Sequence, residues 1–213
     1  MTGHSPLHWW NERVVPRLTE ASLKGHDVGD KRVVVCAGLS GSVLEVGFGS
    51  GLNVRWYPDA VREVRAVEPS DVGWELSARR RAGSDVDIVR VGLDGQHIAQ
   101  PDGSADSALV TFSLCTIPDP ALALREIRRV VRPGGRLHFL EHGLSPDPGV
   151  ARWQRRLDPV ERAVAGGCHL TRVPEEMIEA SGWSLVSTEH AHLPGPRVAK
   201  PWTWLTWGEA VAH

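Results

Sequence analysis

The stretch VLEVGFGSGLN, residues 43 to 53, constrains this chain more than any other. An apolar run carrying one carboxylate, Glu45, leads into three glycines at alternate positions, Gly47, Gly49 and Gly51. A glycine-rich turn between a strand and a helix lets backbone N–H groups approach a ligand without Cβ clashes, at the positive end of the helix. The spacing departs from the dinucleotide fingerprint GxGxxG, whose third glycine would fall where Leu52 stands. Glycine turns also occur without ligands, so the weight rests on what the following strands carry.

Those strands are readable as apolar runs: VLEVG (43 to 47), VRAVE (64 to 68), VDIVRV (86 to 91), ALVTFSL (108 to 114) and RLHFLEH (136 to 142). They alternate with helical segments, which predicts βαβ units and a mainly parallel sheet. The helix between the last two is well marked. Asp119 suits its cap and Pro120 its first position, Leu124, Ile127 and Val131 share one face, and Pro133, Gly134 and Gly135 follow as a stop. LSPDPG (144 to 149) reads as a loop, followed by two helices around GGCHLTR and a closing pair of strands. Trp202, Trp204 and Trp207 are expected in that pair, the first two on one strand face. The arginines at 79 to 81 and at 125, 128, 129 and 132 read as solvated helix faces.

Two acidic residues extend the glycine turn into a series. Glu68 ends the second strand, where a carboxylate can accept both hydroxyl protons of a ribose. Asp94, in VGLDGQHI, follows the third strand, where it can receive an adenine amino group while the Gly95 N–H meets a ring nitrogen. Ligands bind at the carboxyl ends of parallel strands in open α/β sheets, and all three features fall there.

Composition narrows the partners. The chain has 213 residues and 41% hydrophobic content, enough for one sizeable core. Lys and Arg total 24 against 26 Asp and Glu, a net charge of −2 that offers no basic surplus for nucleic acid. The start has no continuous apolar run of signal-peptide type, and no segment approaches the roughly 20 residues that span a bilayer. Cys36, Cys115 and Cys168 are an odd count without CxxC spacing, which disfavours a disulfide framework and a structural zinc site. The expectation is a soluble cytoplasmic protein with a small-molecule acceptor, no nucleic-acid partner, no transmembrane segment and no metal.

From residue 40 to 142 the chain resembles the class I S-adenosylmethionine-dependent methyltransferases. VLEVGFGSGLN looks like their first motif, VRAVEPS the second, and PDGSADSALVTFSLCTIPDPALALREIRRVVRPGGRLHFLEHG the later strand-helix-strand block. Within them, GSGLN, EPS, SLCTI, RPGGRLHFLEHG, GCHLTR and WGEAV are similar to the methyltransferase-like alkyl thiol methyltransferases of animals and their bacterial relatives. The animal proteins carry an apolar N-terminal membrane segment without a counterpart in these residues. Menaquinone and ubiquinone methyltransferases share the core less closely.

The resemblance implies an α/β fold: one Rossmann-like doubly wound domain, a mostly parallel seven-stranded sheet and an antiparallel closing strand pair. Residues 1–40 would form a helical cover, 41–142 the cofactor-binding core, and 143–213 the helices and closing strands that shape the acceptor site. It also implies that S-adenosyl-L-methionine is the cofactor and S-adenosyl-L-homocysteine the product. Glu45, Gly47, Gly49, Gly51 and Asn53 would hold its methionine part, Glu68, Pro69 and Ser70 the ribose, and Asp94, Gly95 and Gln96 the adenine side. Ser113 would lie near the methionine amine.

On the acceptor side, His142 is a candidate proton acceptor at the end of the fifth strand, with His169 beside the acceptor. Leu114 and Cys115 would line the acceptor pocket, Cys115 as lining rather than nucleophile, and Trp9 and Trp10 would cover it as a lid. The function expected is S-methylation of a thiol. The other readings are O- or C-methylation of a phenol or quinol, and a noncatalytic module that binds the cofactor or its product.

Overall fold

A computed structural model of the chain describes residues 6–212; residues 1–5 of the expected cover lie outside the described residues. Seven strands form one sheet: β1 (Gly41–Val46), β2 (Val61–Val67), β3 (Asp87–Gly92), β4 (Ala105–Thr111), β5 (Val131–His142), β6 (Trp183–His192) and β7 (Trp204–Ala212). Their spatial order is β3-β2-β1-β4-β5-β7-β6. The first five pair in parallel, and β7 lies antiparallel to both β5 and β6. This is the α/β doubly wound sheet with an antiparallel closing pair that the resemblance implies.

Nine helices are described: α1 (Pro6–Arg13), α2 (Val15–Leu23), α3 (His26–Cys36), α4 (Asp71–Leu76), α5 (Ala78–Ala82), α6 (Pro120–Val130), α7 (Pro148–Val164), α8 (Pro174–Ala180) and α9 (Lys200–Thr203). Alternation along the strands feeds two cores, one on each face of the sheet. Leu44, Val110 and Phe139 pack with Leu124 and Ile127 of α6, and with Ile178 of α8. Their chain neighbours Val43, Leu109 and Leu140 pack with Val28 and Val35 of α3. Every residue of β1 is buried, as in a strand covered on both faces, and this explains its near-continuous apolar run.

The order of connection reverses between β1 and β4, so the loops leaving these neighbours turn to opposite sides and leave a crevice at their carboxyl ends. Three local expectations change. α6 ends at Val130, and Val131 already pairs with Ala105 as part of β5; a register shift follows before Arg136 meets Ser107. The Pro133-Gly134-Gly135 stop therefore lies inside the irregular start of a strand, with Gly134 at φ 76°. Trp202 belongs to α9 and not to a strand face shared with Trp204, which opens β7.

The cap of α6 is as read: the Asp119 side chain accepts from the Leu122 N–H at 2.9 Å. Asp119→Ala is expected to lower stability by about 1 kcal/mol, the usual cost of a lost N-cap, in urea unfolding followed by circular dichroism. A variant as stable as the parent would show that the bond contributes nothing.

Candidate functional site

A cavity of about 470 Å³ opens at the carboxyl ends of β1 to β4. Gly47, at φ 79°, turns the chain out of β1 where a Cβ would stand 1.7 Å from Ser113 Oγ, so only a glycine lets the loops after β1 and β4 meet. Gly49 donates its N–H to Glu68 Oε2 at 2.5 Å, and Ser70 donates to Glu68 Oε1 at 2.7 Å. Burial pushes the Glu68 carboxyl above its ordinary range, and these two bonds work against that shift. Glu68, Pro69 and Ser70 all line the cavity, as do Gly47 and Gly49.

Asp94, Gly95 and Gln96 line its far side. Asp94 Oδ1 accepts from the Gln96 N–H at 2.9 Å, and its Oδ2 lies 3.0 Å from His97 Nδ1. Partnership with His97 holds the carboxyl below its usual value. At Gly95 a Cβ would come within 2.8 Å of Val46, and the Gln96 side chain accepts from the Asp119 N–H at 2.8 Å. The loop is thus clamped between β1 and the α6 cap.

Beneath the glycine turn lies a buried polar cluster. Asn53 donates to Glu45 Oε1 at 2.9 Å and to Thr111 Oγ1 at 3.0 Å, and the Tyr57 hydroxyl donates to Glu45 Oε2. Arg32 of α3 donates to Asn53 Oδ1 at 2.5 Å and to Thr111 Oγ1 at 3.1 Å. Glu45 is fully buried, and desolvation pushes its carboxyl up to about 7 against the bonds from Tyr57 and Asn53 and the charge of Arg32. Glu45, Gly51 and Asn53 do not line the cavity, whereas Arg32 and Thr111 do.

Sequence reasoning missed Arg32, Thr111 and Phe112. Phe112 lines the wall with φ 53°, a left-handed conformation that costs a non-glycine residue on the order of 1–3 kcal/mol. Arg32 has no local signal, because only the packing of α3 on the sheet brings it to the site.

The loop after β4 has two sides. Ser113, Thr116 and Ile117 face the cavity, while Leu114 and Cys115 are buried and do not line it. Glu141, at the end of β5, accepts from the Ser113 and Leu114 N–H groups at 2.8 and 3.1 Å. Burial pushes its carboxyl up to about 7 against those bonds, and its Oε2 has no partner among the described residues.

His142 and His169 do not line the cavity either. His142 Nε2 lies 3.0 Å from Cys168 Sγ. Burial disfavours the charged imidazole, yet the bond to Cys168 and the charges nearby leave its pKa above the ordinary value. A hydrogen bond from Cys115, joined by His142, draws the Cys168 thiol below its ordinary value. His169 donates its backbone N–H to the Cys115 carbonyl at 2.9 Å, and burial lowers its imidazole pKa.

The cover differs from the expected lid. Trp9 is exposed, and Trp10 donates its indole N–H to the Val164 carbonyl at 2.7 Å, pinning α1 to the end of α7. Neither lines the cavity; Asn11, Val15, Thr19 and Leu23 do. Helix α2 is tied down by Glu20, which bridges Arg80 at 2.8 Å, and Arg80 also donates to the Ser50 carbonyl in the glycine turn.

The three cysteines are free and buried. Lack of ligand spacing in the chain does not carry into space, because Cys115, His142 and Cys168 place donor atoms within 4.8 Å of one another. Among the described residues no helix is long and apolar enough to cross a membrane.

The family described as Methyltransferase domain matches residues 44–139. The chain is 33% identical to thiol S-methyltransferase TMT1B of Homo sapiens over 82% of its own length and 70% of that protein's. It is 34% identical to the TMT1B of Rattus norvegicus over 70% of its length, spanning 62% of that relative. Among solved structures it is similar to an S-adenosylmethionine-dependent methyltransferase from Mesorhizobium loti, with TM-score 0.66 and 18% identity over 89% of this chain and 99% of that one.

The buried Glu45 carboxyl makes stability depend on pH. It titrates at about 7 in the fold against an ordinary 4.5, so the folded state keeps a proton that the unfolded chain releases. Its contribution is complete below 4.5 and is lost as pH rises through about 7. Relative to Glu45→Gln, the parent is expected to lose on the order of 1 kcal/mol per pH unit across that window in urea titrations. Parallel stability curves for the two proteins would refute the assignment.

Proposed function

The chain belongs to the S-adenosylmethionine-dependent methyltransferases, and we propose that its acceptor is a small thiol, methylated on sulfur. The observation that carries the thiol is the 33% identity to a thiol S-methyltransferase over 82% of this chain.

The cavity fits the cofactor. The cradle at Gly47 would be filled by any Cβ, and a buried carboxylate, Glu68, stands at the end of the next strand. In this reading Gly47, Gly49 and Ser113 hold the methionine part, with the Arg32 cation on the same wall to balance its carboxylate. Each Glu68 oxygen accepts one backbone N–H, which leaves lone pairs for the ribose hydroxyls. Asp94, Gly95 and Gln96 take the adenine edge. Glu45, Gly51 and Asn53 act from beneath, keeping the turn in shape.

When bound, S-adenosylmethionine supplies a methyl group already activated by its sulfonium. The chain's part is to hold the acceptor in line and exclude water, an effect worth up to about 7 to 11 kcal/mol. A thiol with a pKa of roughly 8.5 ionises in bulk water near neutral pH, so it enters as a thiolate without a base on the cavity wall. A phenol with a pKa near 10 needs more help. His142 and His169, the two candidate bases, lie behind that wall, which favours the thiol.

Two measurements check this reading. Glu68→Ala, folded by circular dichroism, is expected to bind S-adenosylmethionine about 10- to 100-fold more weakly in calorimetry, the cost of a lost charged hydrogen bond. Unchanged affinity would remove Glu68 from the ligand set. In a panel of thiols, phenols, quinols and amines, only thiols should release S-adenosylhomocysteine rapidly, with kcat/KM rising about tenfold per pH unit below the thiol's own pKa. Fast methylation of a phenol or quinol with no thiol turnover would overturn the thiol assignment and leave the methyltransferase intact.

A further inference from the structure

Cys115, His142 and Cys168 come from three separate parts of the chain: the loop after β4, the last residue of β5, and the turn between α7 and α8. One donor atom from each lies within 4.8 Å of the others, and His142 Nε2 is 3.0 Å from Cys168 Sγ. Both cysteines are buried and the histidine is half-buried. The backbone holds the three in place. His142 pairs with Leu205 across β5 and β7, Cys168 donates its N–H to the Ala165 carbonyl at 3.2 Å, and the next residue, His169, bonds back to the Cys115 carbonyl.

We propose that this trio binds one thiophilic divalent cation of the zinc type through two thiolates and one imidazole. The donor set is the one such ions select: sulfur and imidazole nitrogen suit zinc, whereas magnesium and calcium take oxygen. The geometry is also suitable. A tetrahedral ion with bonds of roughly 2.3 Å to sulfur and 2.0–2.1 Å to nitrogen spaces its donors about 3.5 to 3.8 Å apart. The three donor atoms all lie within 4.8 Å of one another, and His142 Nε2 and Cys168 Sγ, now 3.0 Å apart in contact with each other, would part by roughly half an ångström to take the ion between them. Two thiolates balance the charge of the ion, which removes the cost of burying it unpaired. Three protein ligands leave a fourth position for an exchangeable donor such as water. The trio lies against the wall that the Ser113–Pro118 loop presents to the cavity, and the site stands whatever the acceptor is.

The test uses the full chain, reduced with a phosphine, stripped with a chelator, and titrated with cobalt(II) followed by zinc(II). One equivalent of cobalt is expected to bind with a sulfur-to-metal charge-transfer band and the strong visible absorption of tetrahedral cobalt, and zinc should abolish both. Cys115→Ser and Cys168→Ser, checked for folding by circular dichroism, should each bind at least about 100-fold more weakly, since even loss of a group that only supports a ligand costs 10- to 100-fold. Cys36→Ser should bind as the parent does, because Cys36 is buried in α3 outside the trio. A folded parent with no saturable thiolate band, or a band that survives both serine substitutions, would overturn the site.

Discussion

The carboxylate of Glu68, accepting one N–H from the glycine turn and one from the start of the next loop, ties the exit of β1 to the exit of β2. The rest of the site depends on that bond pair. Gly49 stays at φ 56° because its N–H has this acceptor, and Gly73 packs close against the same carboxylate, where a Cβ would come within 3.3 Å of Oε1. Glu45 and Glu141 serve similarly along β1 and β5, Glu45 accepting from the Asn53 side-chain amide and the Tyr57 hydroxyl and Glu141 from the Ser113 and Leu114 N–H groups. Burial raises all three carboxyls, two of them to about 7. At the carboxyl edge of this sheet desolvation outweighs the hydrogen bonds that oppose it, so loop geometry and protonation are linked.

What could be read from the chain divides along a physical line. Strand positions, the α6 cap and the placement of Glu68 follow from neighbours within a few residues, and these are properties of sequence periodicity and turn chemistry. Arg32 could not be read, because its helix shows no pattern that says which residue meets Asn53 and Thr111. The spacing of Trp202 and Trp204 suits one strand face, but a short helix starting at Lys200 holds Trp202. The aromatics of α1 suggest a lid in the sequence, whereas Val15, Thr19 and Leu23 of α2 line the cavity and Trp10 serves as an anchor. Ligand spacing in the sequence likewise says nothing of cysteines brought together by β4, β5 and the α7–α8 turn.

The N-terminal helices join the site through charge as well as packing. Glu20 reaches Arg80, and Arg80 in turn holds the Ser50 carbonyl, so α2 and the glycine turn share one cation. An exposed ion pair would contribute little, but here both partners are largely covered and the arginine makes a second bond. Any movement of α2 away from the cavity must break this link, and the break is felt at the glycine turn that lines the cavity.

The loop from Ser113 to Pro118 separates two kinds of chemistry by the thickness of one backbone. Its outer side chains, Ser113, Thr116 and Ile117, face the cavity, whereas Leu114 is buried in the core cluster under α6 and Cys115 meets His142 at the end of β5 and Cys168 of the α7–α8 turn. Arg172 holds it from behind, donating to the carbonyls of Leu114 and Ile117. Glu141 holds its start through the Ser113 and Leu114 N–H groups. Both ends of the loop are therefore held by side chains from outside it, the buried Glu141 and the half-buried Arg172, and the held loop brings Ser113 against Gly47 while Cys115 meets Cys168. His142 stands behind this wall, bonded to Cys168, and the side chains that face the cavity belong to the loop itself.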